Sequence, residues 1–60
     1  MTNQQLAAAR KVANQFEDVT FVPVMGGISV GGNTVLITPN MTPDLVERTL
    51  RDAAYAARSS

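Results

Sequence analysis

The stretch GGISVGGNTVLITP, residues 26–39, decides the fold, because it reads either as a phosphate-cradling loop or as the turn of a β-hairpin. From Gly27 to Thr34 it runs G-I-S-V-G-G-N-T, the spacing G-x-x-x-x-G-K-[ST] with Asn33 in the lysine position. A phosphate loop needs that lysine to reach the phosphates and a helix N-terminus directly behind it. The chain continues instead with Thr34-Val35-Leu36-Ile37-Thr38, largely β-branched and closed by Pro39, where no helix can begin. Gly31-Gly32-Asn33 accept the positive φ of a tight hairpin turn. The hairpin reading prevails, with strands at about 28–30 and 34–38. Gly26, Gly27, Gly31, Gly32 and Asn33 then serve as turn-forming backbone devices and not as ligand contacts.

Upstream, residues 19–25, VTFVPVM, form a β-rich run whose Pro23 cannot donate to a ladder, which places this strand at the sheet margin. Gly26-Gly27 make the bend or bulge into the next strand. Further upstream, Thr2 and Gln5 have the spacing of a capping box and start a helix over residues 3–17. Its apolar side carries Leu6, Ala8, Ala9, Val12, Ala13 and Phe16, and Gln4, Arg10, Lys11, Asn14 and Glu17 lie opposite. Downstream, Thr42-Pro43-Asp44 supplies an N-cap, a proline at the first helical position and a carboxylate in the first turn, so a second helix runs over 43–57. Val46, Leu50, Ala53, Ala54 and Ala57 share one arc of it, and residues 58–60 are expected to fray.

The order helix, two or three short strands, helix predicts a single small α+β domain over residues 1–60, with both helices on one face of a short antiparallel sheet. The other face stays open. Apolar residues occur at both parities of the strands, in Phe21, Val22, Val24 and Met25 and again in Val35, Leu36 and Ile37, so neither sheet face is polar throughout.

A chain of 60 residues buries only about 60% of the surface its unfolded form exposes, and a core this small usually needs staples or a partner. Cysteine and histidine are absent, which excludes disulfides, thiolate chemistry and the common zinc sites. Oligomerisation is the remedy left. The sequence therefore predicts a homodimer or larger assembly, with Phe21, Val22, Val24, Val35 and Ile37 as the partner interface.

Five basic and five acidic side chains cancel, so no global field draws the chain to nucleic acid or an anionic membrane. No run approaches the roughly 18 apolar residues of a membrane span, and the start MTNQQLAAARK lacks the order of a secretory signal. A cytoplasmic protein, or one within an assembled particle and not secreted, is the expectation. Met1 and the length suggest a complete small gene product, in the size class of accessory subunits, inhibitors and viral structural or assembly factors. The carboxylates Glu17, Asp18, Asp44, Glu47 and Asp52 form no evident acid/base pair, so no catalytic residue, cofactor site or metal site is assigned and an enzyme is not expected. The second functional reading is a small nucleic-acid-binding regulator. Arg48, Arg51, Tyr55 and Arg58 line one face of the second helix, although Asp44 and Glu47 stand four residues before Arg48 and Arg51 and would partly neutralise them.

Overall fold

A computed structural model of the chain describes residues 1–59. Helix α1 spans Asn3–Gln15, strands β1, β2 and β3 span Phe21–Val24, Gly27–Val30 and Asn33–Leu36, and helix α2 spans Pro43–Ser59. The strands form an antiparallel meander in the order β1-β2-β3, with both helices packed against it, which is the expected α+β architecture. Helix α1 lies chiefly on α2, and α2 lies on β2 and β3.

The capping box forms as its spacing requires: the Gln5 amide donates to Thr2 Oγ1 at 3.1 Å and the Thr2 amide to Gln5 Oε1 at 3.0 Å. Helix α1 stops at Gln15, two residues short of the expected end. Phe16 leaves helical geometry with φ of −127° and turns its ring into the core, so Glu17 and Asp18 stand clear of the helix terminus they would oppose.

Residues 58 and 59, expected to fray, belong to α2, because Arg58 is tied to Asp18 and the Ser59 hydroxyl donates to the Tyr55 carbonyl at 2.9 Å. Ser60 lies outside the described residues. The core is Ala8, Ala9, Val12 and Phe16 from α1, Ile28 and Val30 from β2, Ile37 beyond β3, and Val46, Leu50 and Ala54 from α2.

The turn between β2 and β3 is Gly31-Gly32 alone. Both have positive φ, 58° and 92°, as a two-residue type I′ turn demands, and Asn33 is already strand. Gly27 likewise is a strand residue, and only Gly26 of that pair has positive φ, at 79°. The hydrogen bonds from Gly31 N to Thr20 O and from Ile37 N to Gly26 O fix the phase of both ladders. Antiparallel pairing then alternates. On β1, Val22 and Val24 bond to β2 while Phe21 and Pro23 point their main-chain groups outward, so the edge placement of Pro23 follows from its missing N–H.

Candidate interaction surface

Register sorts the strand side chains into two sets. Ile28 and Val30 face the helices, and so do the residues at the same parity on the neighbouring strands: Phe21 and Pro23 on β1, Asn33 and Val35 on β3. Val22, Val24, Ser29, Thr34 and Leu36 face the other way. On this open face Leu36 is 69% exposed, Val22 46% and Val24 39%, with Met25 98% exposed at the adjoining turn. No charged residue stands between Asp18 and Asp44, so the whole sheet, both faces and both edges, is free of formal charge.

Of the five residues expected at a partner interface, the structure brings Val22 and Val24 together on the open face. It turns Phe21, Val35 and Ile37 inward, where Ile37 is buried and the other two pack half-buried against the core. Leu36 and Met25 belong with the exposed set and were not singled out from the sequence.

A second apolar surface lies between α1 and β1. Because α1 rests chiefly on α2, it leaves an open groove of about 160 Å³ lined by Leu6, Ala9, Ala13, Phe21, Pro23 and Ile28, with Arg10 at its side.

The arginine face of α2 is largely engaged within the molecule. Glu47 Oε1 lies 3.5 Å from Arg51 Nη2 and 3.3 Å from Lys11 Nζ, and Arg51 Nη2 also donates to Gln15 Oε1 at 3.1 Å, so this group ties α2 to α1. Arg58 donates to both Asp18 carboxylate oxygens at 2.8 Å and stacks over the Phe16 ring at 4.7 Å. Tyr55 meets Phe16 edge-on, with centroids 5.1 Å apart. Arg48 has no ion pair among the described residues. The expected Asp44–Arg48 pair is absent there, while Glu47–Arg51 is present. Among the described residues no group of three His, Cys, Asp or Glu side chains could hold a metal ion, and no helix is long and apolar enough to cross a membrane.

No family model matches the chain, and comparison with known proteins and with solved structures finds no match.

The Asp18–Arg58 contact makes a first testable prediction. The guanidinium hydrogen bonds hold the Asp18 carboxyl below its ordinary value of 3.8. A carboxylate whose pKa is depressed by folding contributes its stability above the unfolded pKa and loses it as pH falls through the lower folded value. Both groups are solvent-exposed, so the contribution is small. In an NMR titration the Asp18 carboxyl carbon should titrate below pH 3.8, and Arg58→Ala should return it to the ordinary range. An unchanged midpoint in that variant would show that the pair does not persist in solution.

Proposed function

We propose that this chain is a non-enzymatic interaction and assembly module that works as an oligomer of itself through its uncharged sheet. The observation that carries the reading is the open face, where Val22, Val24, Met25 and Leu36 are exposed together on a surface without charge. Burying a Val, Leu or Met side chain contributes about 1.5–3 kcal/mol, and exposed apolar patches rimmed by polar groups mark contact sites. A 60-residue core with no covalent staple gains from such a contact more than a large domain does.

The nucleic-acid reading finds less support. Two of the three α2 guanidiniums it needs are held by Glu47, Gln15 and Asp18, and binding phosphate would first break those contacts.

Sedimentation equilibrium combined with thermal melts over a wide concentration range tests the proposal. Self-association should raise the melting temperature with protein concentration. It should also change little between low and high salt, since no charge lies on the surface. Val24→Lys with Leu36→Lys should weaken association at least tenfold while leaving helical circular dichroism intact, because both side chains are exposed and outside the core. A monomer that melts at a temperature independent of concentration overturns the proposal.

A further inference from the structure

The two edges of the sheet differ in what they offer to an added strand. On β1 the outward main-chain groups belong to Phe21 and Pro23, and proline supplies no N–H, so this edge presents a single donor. On β3, the two-residue turn pairs Val30 with Asn33, and the bond from Ile37 N to Gly26 O fixes the far end, so Asn33, Val35 and Ile37 turn their main chain toward β2. Thr34 and Leu36 therefore point both N–H and C=O groups outward. Both residues are exposed, and neither makes an outward main-chain hydrogen bond among the described residues. Edge strands are normally blunted by charge, proline, a bulge or a covering element. Strand β3 carries neither charge nor proline.

We infer that two copies of this chain join β3 to β3 antiparallel about a two-fold axis at Val35, making one six-stranded sheet in the order β1-β2-β3-β3-β2-β1. The inference rests on the self-association proposed above and specifies its geometry. In this register Thr34 stands opposite Leu36 of the second copy, and Leu36 opposite its Thr34. Each of these two pairs exchanges two hydrogen bonds, so four bonds satisfy all the outward groups of both strands. The occupant is a second copy because the strand is complementary to itself under that axis. A charge near a two-fold axis meets its own image, and here none exists between Asp18 and Asp44. The junction also places Leu36 beside the partner's Thr34 on the open face, which joins the two apolar patches into one surface.

Two measurements test the geometry. Thr34→Cys and Leu36→Cys are made separately in a chain that has no other cysteine, and then mixed and oxidised. Opposed positions in a hydrogen-bonded pair lie about 5.5 Å apart at Cα, within disulfide range, whereas Thr34 and its symmetry mate lie roughly 8 Å apart, beyond it. The mixture should therefore give the Thr34–Leu36 heterodisulfide in severalfold excess over either homodisulfide. On the unmodified chain, hydrogen exchange at the Thr34 and Leu36 amides should slow at least tenfold as concentration rises, while the Phe21 amide on the opposite edge stays fast. Association with a statistical mixture of disulfides, or with unprotected Thr34 and Leu36 amides, overturns the β3 junction and leaves assembly through the open face standing. Failure to associate at any concentration overturns both.

Discussion

Replacing Gln5 by glutamate is expected to unfold the protein at pH 7 and to be partly relieved near pH 4. At the third position of a capping box Glu and Gln serve equally, because either side chain accepts from the N-cap amide. In this fold Gln5 also donates. Its Nε2 reaches the Thr38 carbonyl at 2.9 Å and the Met41 carbonyl at 3.0 Å, and the residue is only 2% exposed. One amide group thereby fixes the start of α1 and fastens the loop from β3 to α2 against it. A carboxylate in its place has no donor: the Met41 carbonyl loses its partner at about 1–3 kcal/mol, the Thr38 carbonyl keeps only the Met41 amide at 3.1 Å, and a poorly solvated negative charge is aimed at both. A chain of this length has a total stability of about 3–9 kcal/mol, so the sum is comparable with the whole. Burial and the facing carbonyls raise the pKa of the introduced acid in the folded state. The part of the destabilisation due to charge is then complete above that raised folded value and disappears below the unfolded value of about 4.3, where the neutral acid recovers one of the two donors. Gln5→Met separates the two effects, since it loses the hydrogen bonds without adding charge and should show no such pH dependence. Circular dichroism melts at pH 4 and 7 check this, and a glutamate variant as stable as the parent at pH 7 would show that the loop does not depend on the Gln5 amide.

The two roles of Gln5 also mark what a sequence can and cannot disclose. The capping box lies within four residues and is legible from Thr2 and Gln5 alone. The bonds to Thr38 and Met41 span 33 and 36 residues, and nothing near Gln5 signals where the chain will return. The same distinction applies to Arg58, whose position near the terminus suggested fraying, while Asp18, 40 residues away, holds it.

Strand parity is an intermediate case. The β-rich runs were readable from composition, but apolar residues at both parities left the buried set undetermined until the register was known. A signal was present in Gly31-Gly32. Read as a two-residue type I′ turn, it pairs Val30 with Asn33 and thus Ile28 with Val35, which puts Leu36 on the opposite face. Extending the turn to Asn33 obscured that count. The candidate interface was legible as a property of the β region, and its membership depended on one residue of register.

Gly27→Ala is expected to be more damaging than Gly26→Ala, although the latter glycine has the unusual backbone. Gly26, at φ of 79°, has open space where a Cβ would stand, so alanine there meets only the left-handed penalty of about 1–2 kcal/mol. Gly27 is a strand residue without positive φ and pairs with Val24 on one side and Leu36 on the other. A Cβ at that position would fall on the Val35 carbonyl oxygen, with the Val35 carbonyl carbon at 2.9 Å and the Leu36 Cα at 3.1 Å. All three atoms are backbone, so no rotamer change relieves the clash, and β2 must part from β3 or both strands must bend. Either movement breaks ladder hydrogen bonds beside the free edge and shifts Leu36 relative to Val22 and Val24. The expected loss is about 3 kcal/mol or more, in the upper range for single substitutions, and a large share of the stability of so small a chain. Because the displaced strand is β3, any Gly27→Ala protein that remains folded should also lose protection at the Ile37 amide, whose bond to Gly26 O closes that ladder. Thermal melts of both variants with hydrogen exchange at Ile37 decide it. Equal melting temperatures for the two alanine variants would show that the strands separate at Gly27 more readily than their packing implies.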